Sequence, residues 1–235
     1  MSLRWSPGRV AAAVVLAAWA GLFWFLMATG RTSLYLSSRT SWLVPLGATI
    51  LTLAAAGRIA SARVSSPEPM DRRETWVLGA LMLPVILVLV LPPATLGTFG
   101  VGRRAGFIGA GVSVNAADLS SGQLSFIDVA AAQTTKQGLA AIRKRAGEEV
   151  TLEGFVWPSE GGRAGEILLT RYVITCCVAD ATSAQVRVVN VPAGRFSAGD
   201  WVRVTGLVYP LGTEILVDAS SVASIPQPRR PYLTP

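Results

Sequence analysis

Three stretches without a charged residue, Val10 to Gly30, Thr40 to Gly57 and Thr75 to Gly102, dominate the first part of the chain. Each approaches or exceeds the roughly 20 helical residues needed to cross a hydrocarbon core about 30 Å thick. The pattern predicts three transmembrane helices, over Val10 to Thr29, Trp42 to Ala56 and Trp76 to Leu91. Pro45 is placed in the first turn of the second, where its missing amide removes no interior bond, and Pro84 falls inside the third. The first apolar run is longer than a signal-peptide core, and two more spans come after it, so it reads as a retained helix. None of the three spans carries an ionisable residue, whereas transport pathways and proton relays use charged groups facing a bundle interior. Alone, these helices make a poor transporter.

Beyond the spans, residues 95–126 are rich in Gly, Ala and Ser with little periodicity and read as a linker or stem. A helix is expected over Asp128 to Arg145, with an acid at its start and Lys144 and Arg145 at its end to suit the helix dipole. From Glu149 the pattern changes to strand alternation. Val150, Leu152, Gly154 and Val156 share one face, and further strands are expected over Ile167 to Val178, Gln185 to Val191, Trp201 to Val208 and Glu214 to Val217, the last flanked by a Ser-rich stretch to Ile225. Glycine and proline clusters punctuate them. Five short strands with Gly154 and Gly206 inside point to a small all-β barrel of the OB type, whose curled strands need glycine at their bends, with a β-sandwich as the alternative. The expected organisation is therefore a membrane domain at 1–94, a linker at 95–126, and a helix plus OB-like five-stranded barrel at 127–235. Of the aromatic residues Phe155, Trp157, Tyr172, Trp201 and Tyr209, at least half are expected in the core rather than on an open stacking face.

Charge refines the topology. The chain has 21 Lys and Arg against 14 acids, a formal +7. Residues 1–94 hold 8 Arg and 3 acids, while residues 95–235 hold 13 basic residues and 11 acids. A downstream domain near charge balance lacks the basic footprint of nucleic-acid binding. Around the spans, Arg4, Arg9, Arg58, Arg63, Arg72 and Arg73 fall on one side and Arg31, Arg39, Arg103 and Arg104 on the other. The positive-inside rule then places the N-terminus in the cytoplasm and the C-terminal domain outside, in a multi-pass membrane protein. Abundant Arg and Ala suit a bacterium with a GC-rich genome.

The candidate chemistry is a vicinal pair, Cys176 and Cys177, the only cysteines in a chain without histidine. With Asp180 they form a candidate metal set, which needs the strand to end or kink at the pair, because neighbours on a strand point to opposite faces. A redox pair is a second reading, supported by the exterior location. The third makes one cysteine a small buried apolar residue and the other partner-facing. The fourth is a surface shared with a partner, to which Arg171, Cys177 and Asp180 contribute. No histidine for base work, phosphate loop or nucleophile elbow is present, so an enzyme is not expected.

The run Arg171-Tyr-Val-Ile-Thr-Cys-Cys-Val-Ala-Asp-Ala181 resembles the motif of bacterial YcgQ-like membrane proteins. Gly154-Phe-Val156, Trp201-Val-x-Val-x-Gly206, Pro92-Pro-Ala-Thr-Leu96 and Pro231-Tyr232 agree with it. The resemblance implies N-terminal membrane helices, an OB-like C-terminal domain and service as an accessory subunit to a multispanning permease. In some members it also implies a link to zinc through a His-rich loop, but the corresponding loop here, Gly57 to Glu74, has neither histidine nor cysteine. Two functions are carried forward: an accessory subunit of a two-component permease with a link to metal homeostasis, and a stand-alone extracytoplasmic thiol-redox or metal-handling protein.

Overall fold

The computed structural model describes residues 4–65, 69–91, 95–103, 124–158 and 164–234. The chain divides into two compact units, Met1–Ala94 and Thr95–Pro235.

The first unit contains three long apolar helices, α1 (Pro7–Ala28), α2 (Leu43–Ala60) and α3 (Arg72–Val90). All three are long and apolar enough to cross a membrane. Pro7 stands at the start of α1 and Pro45 in the first turn of α2, positions that cost no helical hydrogen bond, whereas α3 runs on through Pro84. Small residues let the helices approach: Ala13, Ala20, Ala48 and Ala55 are buried, and a Cβ on Gly47 would lie 3.2 Å from the Phe23 ring. Two indoles add polar ties, with Trp19 Nε1 donating to Leu81 O at 3.0 Å and Trp24 Nε1 to Thr52 Oγ1 at 3.3 Å. A two-residue ribbon, β1 (Arg4–Trp5) with β2 (Arg63–Val64), joins the start of α1 to the chain leaving α2.

In the second unit, α4 (Phe126–Ala132) and α5 (Lys136–Arg143) precede β3 (Glu149–Pro158), β4 (Ile167–Val173), β5 (Thr182–Val189), β6 (Trp201–Leu211) and β7 (Glu214–Ser224). The strands close into a barrel in the order β3-β4-β5-β7-β6, antiparallel except for β5 beside β7. Closure removes sheet edges, and the result is the small five-stranded OB-like barrel that the alternation predicts. Gly154 and Gly206 mark its bends. A Cβ on Gly154 would sit 2.8 Å from Thr170 O, and one on Gly206 only 2.2 Å from Asp218 O, beside a register shift between Thr205 and Gly206.

The inward valines and leucines of the strands form one core with Phe126, Val129, Leu139 and Ile142, so the two short helices pack with the barrel interior. Where the sequence predicts one helix over Asp128 to Arg145, there are two. Ser125 and Asp128 close a capping box on α4, and Thr135 caps α5 by accepting from Gly138 N at 3.0 Å. Gly138 lies so close to Ala132 that its Cβ would meet Ala132 Cα at 2.6 Å, a break that only glycine permits. In the turn between them, Gln133 serves the barrel: its Nε2 donates to Gln185 O at 3.0 Å and its Oε1 accepts from Ile215 N at 3.1 Å. Its amide extends the β5–β7 ladder past the first paired residues, Arg187 and Leu216.

The stretch expected as a linker is described at 95–103 and again from 124. Residues Thr98–Arg103 form a 3₁₀ turn, and Leu96 and Val101 join a second apolar cluster with Phe155, Tyr172, Ile174 and Tyr232. Residues 104–123 of that stretch, and the Ser159 to Gly162 turn, lie outside the described residues.

Candidate functional site

The sequence predicts that the second barrel strand runs through the cysteines to Val178, but β4 ends at Val173. Its end is held from the side by the C-terminal tail: Ile174 N donates to Leu233 O at 2.9 Å, and Leu233 N to Tyr172 O at 2.8 Å. Past Ile174 the chain enters a turn gathered by one carboxylate. Asp180 Oδ1 accepts from Thr175 N at 2.9 Å, and Oδ2 from Cys176 N at 2.7 Å and Cys177 N at 3.3 Å. Asp180 N returns a bond to Cys177 O at 3.1 Å, closing the 3₁₀ turn Val178–Asp180 before β5 begins. Three amides pointing at one acceptor cannot belong to a regular ladder, and the local hydrogen bonds of Asp therefore win over strand continuation.

The turn brings both thiols to one side. The Sγ atoms lie 3.7 Å apart and are not joined in a disulfide, Cys176 exposed and Cys177 half-buried. One ligand atom each from Cys176, Cys177 and Asp180 falls within 4.8 Å of the others. The strand geometry that would have separated neighbouring thiols is thus absent at the pair.

The cluster is electrostatically polarised. The Cys176 thiol is pushed up to about 11, first by its hydrogen bond to the Asp180 carboxylate and then by that to Cys177. Burial pushes the Asp180 carboxyl up, but the Cys176 thiol and the three backbone amides outweigh it and hold the group below its ordinary range. At neutral pH the cluster is a carboxylate with a protonated Cys176 thiol against it. A thiophilic cation would displace the protons of both thiols and gain two sulfur donors and one oxygen, three of the four that a tetrahedral site takes.

Arg171 is engaged elsewhere. Its Nη2 donates to Arg230 O at 2.8 Å and its Nε to Pro231 O at 3.3 Å, while the guanidinium lies 5.6 Å from the Trp201 ring centroid. Burial lowers its pKa, with the Glu153 charge opposing. Arg171 thus holds the tail whose Leu233 pairs with the end of β4.

The aromatic face is closed by the chain's own segments. Phe155 and Tyr172 are 3% and 1% exposed, packed with Trp157 and Trp201 beneath Leu96, Val101 and Tyr232. Tyr172 Oη donates to Gly97 O at 2.8 Å, and Leu96 N donates to Tyr232 Oη at 2.9 Å. Neither this strap nor the Gln133 bridge is predicted by the sequence pattern. The signal for the strap is the Leu96 and Val101 pair within a glycine-rich stretch, too sparse to show periodicity.

A membrane protein with three apolar helices and a C-terminal OB-like barrel bearing a Cys-Cys-x-x-Asp turn is the class these features define. Residues 123–235, which include the whole barrel and its two capping helices, match the family described as the DUF1980 C-terminal domain, consistent with the YcgQ-like resemblance. No curated protein matches the chain.

Proposed function

We propose that this protein is a non-enzymatic, membrane-anchored accessory subunit of a two-component permease, and that its barrel presents Cys176, Cys177 and Asp180 outside the membrane as a three-donor site for a thiophilic cation such as zinc. The observation that carries the reading is the turn itself: the Asp180 carboxylate accepts from the backbone of the pair and holds one exposed and one half-buried thiol together, with one ligand atom from each of the three residues within 4.8 Å of the others. A site with three donors leaves a coordination position open, which suits a cation passed on to a partner. The permease part rests on the YcgQ-like resemblance and on the uncharged helices, which supply an anchor and a packing surface but no ionisable pathway of their own. The N-terminus is cytoplasmic and the barrel extracytoplasmic by the distribution of arginines.

The second reading, a stand-alone thiol-redox or metal-handling protein, is favoured by the 3.7 Å approach of the two Sγ atoms. Affinity purification from the native membrane separates the two. The accessory reading expects a stoichiometric multispanning permease in the eluate and a thiophilic metal lost in the Cys176→Ser/Cys177→Ser variant. A lone protein that carries the metal or a reducible bond between the pair would instead support the second.

A further inference from the structure

At the end of the helical unit where α1 begins, α2 ends and α3 begins, the surface opens into a cavity of about 720 Å³. Arg9, Arg58 and Arg73 line it from the three helices, together with the carboxylates of Asp71 and Glu74. Its wall continues into the apolar spans through Ala12, Val77 and Leu78. Among the described residues, none of these five charged groups is joined in an ion pair, although they share one cavity; the ion pairs found lie in the barrel unit.

The cavity is also braced. Arg9 Nη1 donates to Ser61 O at 2.5 Å, Ser6 N donates to Ala62 O at 2.8 Å, and Arg63 lies 5.0 Å from the Trp5 ring centroid across the β1–β2 ribbon. Asp71 accepts from Arg72 N at 2.7 Å and so fixes the start of α3. Trp5 and Trp76, both exposed, stand at this same end, the depth at which tryptophan meets phospholipid headgroups.

We infer that this cavity binds the headgroup of a phosphatidylethanolamine-type lipid, with the phosphodiester against Arg9, Arg58 and Arg73 and the primary ammonium against Asp71 and Glu74. The charge pattern selects the class. Guanidinium groups bind phosphate oxygens by paired, charge-assisted hydrogen bonds. A purely anionic glycerol headgroup would leave the two carboxylates without a cation, and a choline headgroup offers them no N–H donor. The apolar wall at Val77 and Leu78 receives the first acyl carbons, so the whole lipid fits better than its soluble headgroup. Lipid binding at this cavity is independent of the permease reading and needs neither the barrel nor a metal.

The test is native mass spectrometry of the full chain in mild detergent, titrated with phosphatidylethanolamine, phosphatidylglycerol and phosphatidylcholine of identical acyl chains, and with soluble phosphorylethanolamine. One ethanolamine lipid per chain should be retained, at least about tenfold tighter than the choline lipid, and Arg58→Gln/Arg73→Gln should remove that preference while Arg58→Lys/Arg73→Lys keeps part of it. Helix content by circular dichroism should be the same in all variants. Equal retention of the three lipids, tighter binding of the glycerol lipid, or an undiminished preference in the Gln variant would each overturn the assignment. Phosphorylethanolamine binding as tightly as the lipid would overturn the membrane lipid as its occupant.

Discussion

In the barrel, Val188, Val202 and Val204 are wholly buried and the apolar residues of five strands and two helices close on one another. In the helical unit, α3 buries Val85 alone among its described residues, while Trp76, Leu83, Leu89 and Val90 are exposed. Burial of apolar surface supplies the barrel's stability directly, at about 25 cal/mol per Å². The helices have no such internal reserve. Their outward faces are those of elements whose stability comes from lipid and neighbouring helices, which is why small residues and two indole hydrogen bonds suffice inside the unit.

The largest test of this contrast is to separate the units. A fragment covering 95–235 should fold in water and unfold in one cooperative step, whereas 1–94 should stay monodisperse only in detergent; a barrel fragment that aggregates without the helices would break the comparison. Next in size is Gly206→Val, whose Cβ has no room beside Asp218 O. It should destabilise the barrel by roughly 3 kcal/mol or more in denaturant unfolding.

Asp180→Ala should cost about 2 kcal/mol, because three amides lose their acceptor. Since the folded state holds this carboxyl below its ordinary range, its contribution is present above the unfolded value of about 3.9 and is lost as pH falls through the lower folded value. The variant should therefore flatten the acid limb of the stability profile below about pH 4. Cys176 offers a smaller, local readout. With its thiol near 11, it should alkylate slowly at neutral pH and faster in Asp180→Asn, as followed by mass spectrometry of the labelled peptide. Smallest is Tyr172→Phe, which loses the bond to Gly97 O and should cost about 1 kcal/mol, with release of the 95–103 strap seen in hydrogen exchange.

The legibility of each region in the sequence divides along the same line. The spans and the strands announce themselves through periodicity, and Gly154 and Gly206 through the bends they allow, because these are repeated or strongly local signals. The cysteine turn reads as strand in the sequence: Tyr-Val-Ile-Thr has strand propensity, and the decisive acceptor, Asp180, lies beyond the pair it organises. Gln133 and Leu96 act across long sequence separations, on Gln185 and Ile215 and on Tyr232, and no local pattern records such contacts. The bonds of Arg171 to Arg230 O and Pro231 O span a similar separation, and its place in the motif, which suggests a surface shared with a partner, does not record them.

The most direct measurement is quantitative affinity purification of the full chain from its native membrane, reading co-purified protein by mass spectrometry and bound metal by elemental analysis, beside the Cys176→Ser/Cys177→Ser variant. The account predicts a stoichiometric multispanning permease with the wild-type chain and a thiophilic metal that the variant lacks. A clean lone chain, with the same metal content in wild type and variant, would contradict it.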